Sequence, residues 1–282
     1  MKNHYIPQTY LRRWTADEDG KLCQHMCIRG RIVAKRVHPA ETGYAVDLYT
    51  LASLPPDRRH FVEEVLFKRV DQDAANGLDL FLADDIDAGV TAAKITGWSR
   101  FLMSLLHRQP AKIESLKAAA RENFESILPD MRAGWGDHPE HETMTFDEYI
   151  RENSDTLAAT SFANVLSKVC NSENIGQHMN NMFKSVATID GQKRFLTCDN
   201  PLTLFRPLDD DGAYILLPIS PKKIFIAANR QAIVDRLFER LRDDDLVEQL
   251  NEAAISNAIL YVYDTYEDQT GLVSRYFARS AG

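Results

Sequence analysis

Apolar positions in the first fifty residues follow two different periods, and each period predicts a kind of element. In "QTYLRRW" the apolar side chains recur at helical spacing after Pro7, a residue that suits the first turn of a helix. In residues 21–38 the side chains instead alternate with the two-residue period of a β-strand, and Arg29 and Gly30 lie at the midpoint. This pattern predicts a short helix followed by a β-hairpin.

Residues 57–184 carry the 3.6-residue apolar period of amphipathic helices. In the first of these helices, Phe61 and Val65 are expected to contact the core. That orientation predicts Glu64, rather than Glu63, as the carboxylate that points inward.

Proline residues and a capping pattern mark the ends of the other helices. An apolar helix ends near Arg108, because Pro110 cannot continue it and instead begins the next helix. Pro129 is predicted to end that third helix. Thr145-x-x-Glu148 is a capping-box pattern that predicts the start of a further helix.

After about residue 184 the apolar period becomes that of β-strands. Short strand-like runs follow one another, and Asp190-Gly191 between the first two is a strong hairpin signal. Helices return at about 231–241 and 243–260, and "LVSRYFAR" is predicted as a final strand. We therefore predict an α+β fold, with a largely helical middle, an N-terminal β-hairpin and a C-terminal set of short antiparallel strands.

The pattern predicts a single domain of residues 1–282, because no internal repeat, low-complexity tract or linker interrupts it. Within this domain we distinguish an N-terminal hairpin region, 1–50, and a helical region, 57–184. A β-rich and then helical region, 184–282, follows. A chain of 282 residues is long enough to bury a substantial core.

Composition places the chain among ordinary globular proteins, with 44% hydrophobic and 26% charged residues. No apolar run approaches the roughly 18 residues that a membrane-spanning helix needs. The start lacks the basic-then-apolar pattern of a secretory signal, and four cysteines do not make a disulfide framework. We therefore expect a cytoplasmic protein without a membrane partner.

The net charge of −8 is unevenly distributed. Residues 1–36 contain eight Lys or Arg and three Asp or Glu, a local charge of +5, which leaves −13 for the rest. This asymmetry has two interpretations. The basic N-terminal region binds an anionic ligand or nucleic acid, or it docks on an acidic helical body.

Several enzyme classes lack the motifs that define them. The sequence has no P-loop, no G-x-G-x-x-G, no G-x-S-x-G and no H-E-x-x-H. Cys23-x-His25-x-Cys27 lies in a predicted strand, where its two cysteines are roughly 13 Å apart and too distant to share a zinc ion. The sequence identifies no cofactor.

Four polar residues form the candidate catalytic site: His4, Arg108, Asp199 and Asn200. A pKa near neutrality suits His4 to acid–base catalysis, and Arg108 suits the binding of an anionic group. Asp199 would orient the histidine or bind a divalent ion. Each residue also has a structural interpretation: a satisfied core histidine, a cation at a helix C-terminus and an Asx-type turn.

The segments "HYIPQTYLRRW", "TCDNPLTLF" and "PISP" resemble motifs of an uncharacterised bacterial family, domain of unknown function 4238. Members also share a tyrosine after the hairpin, matched by Tyr49, and an Arg-x-Pro helix end, matched by Arg108-Gln109-Pro110. The resemblance covers nearly the whole chain. The family more often has serine at the position of Cys198, so a nucleophilic hydroxyl there is not a general mechanism. The resemblance implies a fold and no reaction.

Two functions follow from these observations. The first is a hydrolase that acts on a phosphoester or nucleic-acid substrate through a pocket of His4, Arg108, Asp199 and Asn200. The alternative is a non-catalytic ligand-binding or protein-interaction module. Both require that the N-terminal segment is ordered beside the turn that contains Asp199.

Overall fold

Helices occupy the middle of the chain and short strands flank them in the computed structural model, which describes residues 1–83, 89–242 and 244–280. The helices are α1 Gln8–Leu11, a π-helix Val62–Phe67, α2 Lys68–Leu82, α3 Ala92–His107, α4 Pro110–Ala133, α5 Phe146–Cys170, α6 Glu173–Asn181, α7 Gln231–Leu241, α8 Asp244–Asn257 and α9 Thr270–Ser280. The strands are β1 Lys2–His4, β2 Leu22–Ile28, β3 Arg31–Val37, β4 Tyr44–Val46, β5 Phe183–Thr188, β6 Thr197–Cys198, β7 Thr203–Phe205, β8 Tyr214–Pro218, β9 Lys223–Ala228 and β10 Val262–Asp264. The predicted α+β fold is confirmed. None of the helices in the described ranges combines the length and the apolar character that crossing a lipid bilayer requires.

Within the described residues the strands pair antiparallel in three sheets. A two-stranded sheet joins β1 to β4, and two four-stranded sheets have the orders β3-β2-β10-β6 and β5-β9-β8-β7. In the first four-stranded sheet, β10 lies between β2 and β6, with Val262 opposite both His25 and Cys198. A strand from the end of the chain therefore joins the N-terminal hairpin to the strand that precedes Asp199.

The N-terminal hairpin is confirmed, and the backbone angles of its turn explain why the chain reverses at Arg29 and Gly30. Arg29 and Gly30 both have positive φ, 50° and 76°. Two consecutive residues of positive φ give the type I′ turn that matches the twist of paired strands. The strands on either side pair from Leu22 opposite Val37 to Ile28 opposite Arg31.

Three of the predicted features are wrong, and the first is the end of a helix at Pro129. Helix α4 continues through this proline to Ala133. The carbonyl that Pro129 cannot satisfy belongs to Glu125, an exposed residue. Solvent can satisfy that carbonyl, so the lost hydrogen bond does not end the helix.

The predicted final strand is also wrong, because "LVSRYFAR" lies in α9. Its buried residues Val273 and Phe277 are four apart, a helical spacing. Among the described residues the last strand is instead β10.

The predicted hairpin at Asp190-Gly191 is the third error. Gly191 does lie in a turn with φ 74°, but β5 pairs with β9 and the following run contributes β6 to the other sheet. Ile189 and Phe195 donate backbone hydrogen bonds to Lys222 and Pro221. The segment therefore wraps around a turn from elsewhere in the chain rather than folding back on itself.

The N-terminal segment is buried in the main core. Tyr10 and Trp14 are completely inaccessible to solvent. The Tyr10 hydroxyl donates to the Pro218 carbonyl and lies 2.7 Å from the Thr197 hydroxyl. Trp14 Nε1 donates to the Phe195 carbonyl at 3.0 Å. These contacts hold the first residues against both four-stranded sheets, as both functional hypotheses require.

Candidate functional site

His4 is positioned by the short sheet at the start of the chain, where β1 places it opposite Tyr44 in β4. The imidazole is half-buried, 5.6 Å from the Tyr44 ring between centroids, and its Nδ1 lies 3.4 Å from Nε2 of Gln8. Burial lowers the pKa of His4, the Ala40 backbone opposes this change, and the Arg108 charge adds to it. The imidazole is therefore neutral near pH 7.

Arg108 follows the last residue of α3 and is fully buried. Its Nη1 donates to Asp71 at 2.6 Å, and its Nη2 donates to the His4 carbonyl at 3.0 Å. The guanidinium also lies 4.4 Å from the centre of the Phe67 ring. Burial is the largest single effect and disfavours the charged form, but Asp71 and Tyr49 together outweigh it, so the pKa of Arg108 is raised. Arg108 is a fixed cation bound by groups of the protein itself.

Asp199 and Asn200 follow β6 and fix the segment that leads into β10. The two carboxylate oxygens of Asp199 accept hydrogen bonds from the backbone N–H groups of Ile259 and Leu260, both at 2.8 Å. Asn200 Nδ2 donates to the Asn257 carbonyl at 3.4 Å. Burial raises the pKa of Asp199 to about 6, although these backbone donors lower it.

The structure brings the four predicted residues together only in part. His4 and Arg108 are in direct contact through the His4 carbonyl. Gln109, next to Arg108, donates from its side chain to the Asp199 carbonyl, which links the second pair to the first through the backbone. The Asp199 carboxylate is directed at the 259–260 backbone, and Asn200 contacts Asn257, the last residue of α8. The catalytic roles of these residues stay a prediction.

The π-helix carries a shielded carboxyl that the sequence pattern missed. Phe61 and Val65 are 42% and 54% exposed, which contradicts the expected inward face. Glu64 is exposed, whereas Glu63 is half-buried with its Oε2 shielded from solvent. The wider turns of a π-helix change which residues face inward. One sequence feature does indicate that Glu63 faces inward: it lies four residues before the apolar residue Phe67, which is buried.

Burial raises the pKa of the Glu63 carboxyl, and this effect exceeds the lowering by Arg108 and by the Asn3 side chain. A cleft of about 320 Å³ opens beside this carboxyl. The polar residues of its lining are Thr9, Glu63, Glu64, Lys68, Asp71 and Gln72. Carboxyls with raised pKa values in clefts, and π-helical turns, are both concentrated at functional sites. This acidic cleft is therefore our candidate functional site, and Asp71 connects it to Arg108.

The cysteine–histidine motif lies in β2, as predicted, and its side chains have partners from the end of the chain. His25 is buried, with Nε2 3.0 Å from the Thr270 hydroxyl. Burial raises the pKa of Cys23 to about 12, so its thiol is protonated near neutral pH. Across the ranges that the structure describes, no three His, Cys, Asp or Glu side chains are grouped so as to hold a metal ion.

The mixed fold and the acidic cleft beside a buried arginine define an α+β protein with a candidate acid–base site. A family model described as a protein of unknown function (DUF4238) matches residues 2–268. The chain belongs to this family, as its sequence motifs predicted. Searches of the curated proteins and of the solved structures find no match.

Proposed function

We propose that the protein is a hydrolase that uses Glu63 as a proton donor in the acidic cleft. The observation that supports this proposal is the Glu63 carboxyl, whose pKa is raised by burial and which lines the same cleft as Asp71. Asp71 forms an ion pair with the buried Arg108. Two carboxyls in such different environments can supply an acid and a base at the same pH.

In the proposed reaction, water attacks the scissile bond while the Asp71 carboxylate accepts one of its protons. Glu63 transfers its own proton to the leaving oxygen as the bond to that oxygen breaks. Water is thereby added across the bond, and proton exchange with solvent restores both carboxyls. Lys68, in the same lining, is the cation that can face negative charge on the substrate.

The substrate class that we propose is a phosphodiester, which includes nucleic acid. Three carboxyls and one lysine line the cleft, from Glu63, Glu64, Asp71 and Lys68. A phosphomonoester carries more negative charge than a diester, so like-charge repulsion disfavours it more strongly. A diester is therefore expected to enter the cleft more readily.

The proposal changes the role that the sequence suggested for Arg108. Its guanidinium holds Asp71 and the N-terminal strand, rather than the substrate. His4, Asp199 and Asn200 remain predicted site residues, and the contacts of Asp199 support a role in fixing its turn. A His4→Ala variant that folds normally and loses turnover would support an enzymatic role for His4.

An anionic ligand or nucleic acid at the basic N-terminal region also remains a prediction. Two of its arginines form ion pairs inside the protein, Arg13 with Asp79 and Arg36 with Asp19. The second pair lies within the region itself, but the first, together with the hydrogen bond that Arg36 donates to the Thr265 carbonyl, supports the other interpretation of the charge asymmetry, in which the region docks on the rest of the chain.

The test is hydrolysis of bis(p-nitrophenyl) phosphate, a diester, against p-nitrophenyl phosphate, a monoester. We expect faster turnover of the diester, and a loss of about 100-fold or more in kcat for Glu63→Gln, which has no proton to donate. The rate should fall as pH rises through the raised pKa of Glu63, because the acid form is then lost. Glu122→Gln, at an exposed position of α4, is the matched control and should leave the rate unchanged.

A Glu63→Gln variant with the wild-type rate would contradict the proposed role of Glu63. Failure of the wild-type protein to hydrolyse either ester would favour the alternative, a non-catalytic ligand-binding or protein-interaction module. One observation supports that alternative: Arg108 binds Asp71 and the His4 carbonyl, and the Asp199 carboxylate accepts from two backbone N–H groups, so both side chains contact groups of the protein itself. A His4→Ala variant that fails to fold would agree with such a structural role of the N-terminal segment.

A further inference from the structure

A second concave site lies between α7 and the β7 edge of the β5-β9-β8-β7 sheet. Its cavity has a volume of about 440 Å³. We call it the arginine pocket, and the charged and aromatic residues of its lining are Phe205, Arg206, Asp211, Tyr214, Arg230, Arg236 and Arg240. Four guanidinium groups around one cavity are typical of a site for a ligand with several negative charges.

The pocket contains an aromatic platform. Phe205 in β7 lies opposite Tyr214 in β8, and the two rings stack with centroids 4.8 Å apart and planes 20° from parallel. Phe205 keeps 47% of its surface exposed. An exposed aromatic ring beside positive charge is the arrangement on which nucleobases stack in proteins that bind single strands.

Two of the four arginines have no carboxylate partner among the described residues. Arg206 pairs with Asp210, and Arg230 pairs with Asp211. Arg236 and Arg240 form no ion pair within the described ranges, and the one hydrogen bond of Arg240 goes to the neutral Gln249 side chain.

Arg236 and Arg240 are four residues apart on α7, so their side chains lie on the same face of the helix and repel each other. Both line the pocket. A bound phosphate would neutralise this repulsion and accept hydrogen bonds from both guanidinium groups.

The backbone of Arg206 adds to this geometry. Its φ of 70° lies in the left-handed region, which residues other than glycine rarely adopt. Its guanidinium lies 5.8 Å from the centre of the Phe205 ring. A cation is therefore held beside the aromatic platform, where a phosphate next to a stacked base would lie.

We propose that the arginine pocket binds a nucleotide unit of a single-stranded nucleic acid, with the base against Phe205 and the phosphates against Arg236 and Arg240. A simple polyanion would need the arginines alone, so the exposed stacked ring favours nucleic acid. This proposal does not depend on hydrolase activity at the acidic cleft, because it uses different residues.

The test is fluorescence anisotropy with a fluorescein-labelled oligothymidylate. We expect the wild-type protein to bind it and Phe205→Ala to raise Kd by about tenfold, through the loss of base stacking. Arg236→Gln should reduce the slope of log Kd against log salt concentration by about 0.7, the change expected for one phosphate contact on a single strand. Arg151→Gln is the matched control, because Arg151 is an exposed helical arginine outside the pocket, and it should leave both quantities unchanged.

Two results would overturn the proposal. The first is no binding by the wild-type protein at low salt, or binding that neither pocket variant weakens. The second is binding that Arg236→Gln weakens and Phe205→Ala does not, which would identify a site for polyanions such as inorganic polyphosphate. If Phe205→Ala does not fold, Phe205→Leu keeps an apolar side chain and removes the aromatic face. Glu63→Gln is expected to bind as the wild type does, which separates this test from that of the hydrolase.

Discussion

Two arginines of the α3 region form ion pairs with aspartates of α2. Arg100 lies within α3 and Arg108 directly follows it, and the two pairs differ in their exposure to solvent. The Arg108 side chain is fully buried and its partner Asp71 is 30% exposed. Arg100 and its partner Asp73 are 23% and 27% exposed. If the buried Arg108 loses its partner, water cannot replace that partner, so the loss leaves an uncompensated buried charge. The second pair keeps partial access to solvent.

We therefore predict that Arg108→Lys lowers the free energy of unfolding by about 3 kcal/mol, because a lysine cannot reproduce the contacts to Asp71 and His4 from one buried group. Arg100→Lys is the matched control and should cost less than about 1 kcal/mol. Urea denaturation measures both. Equal losses in the two variants would contradict the distinction that we draw from burial.

At the residue scale, the sequence pattern identifies the important side chains but does not identify their partners. The position of Arg108 before a helix-breaking proline marked it as a cation at a buried helix end. Its partner Asp71 lies 37 residues earlier, and no local pattern connects the two. Asp199 was recognised by its place after a strand, but its acceptance of the 259–260 N–H groups depends on a long-range contact.

At the scale of elements, α2 and α3 pack closely because glycines lie at their contact. A Cβ atom added at Gly77 would lie 2.6 Å from Cε3 of Trp98. A Cβ atom added at Gly97 would lie 2.9 Å from the Cβ atom of Asp73. The two helices could not approach this closely with larger residues at these positions. The same packing positions Asp71, in α2, and Arg108, which directly follows α3.

Gly77→Ala is therefore expected to lower the free energy of unfolding by about 1–3 kcal/mol through overpacking, even though alanine is the better helix former. Gly271 in α9 is the matched control, because nothing lies within 4 Å of a Cβ atom added there. Gly271→Ala should raise the free energy of unfolding by about 0.5–1 kcal/mol. Thermal unfolding of both variants tests this prediction, which a stabilising Gly77→Ala would contradict.

Elements defined by local chemistry were predicted from sequence, and those defined by distant partners were not. The Arg29-Gly30 hairpin and the helix that begins after Thr145 follow from turn and capping residues, and both are present. The pairing of β5 with β9 has no local signal. The apolar period does not distinguish a π-helix from an α-helix, so it predicts the wrong inward face and misses Glu63.

At the scale of the whole molecule, the N-terminal segment connects parts that are distant in sequence. Tyr10 contacts Thr197 and Pro218, and Trp14 contacts Phe195. Through its carbonyl, His4 contacts Arg108 at the end of α3. Removal of this segment would therefore expose core surface of both four-stranded sheets. The prediction of a single domain agrees with these contacts and stays a prediction.

Limited proteolysis tests this role of the N-terminal segment. Trypsin should cut the native protein after Arg132, an exposed residue near the loop that follows α4, before it cuts after Arg12 or Arg13. Cleavage at Arg12 or Arg13 should require global unfolding, because the neighbouring Leu11 and Trp14 are fully buried. Early cleavage there, with an unchanged melting temperature of the remainder, would contradict the role that we assign to the segment.

The central place of β10 in its sheet has a consequence for biosynthesis. The β2–β3 hairpin is synthesised long before Val262–Asp264, the strand that completes it on one side. Until then, the open edge of β2 is available to other extended peptides. Nascent chains should therefore depend on chaperones until β10 has been synthesised, because this sheet cannot be completed before then.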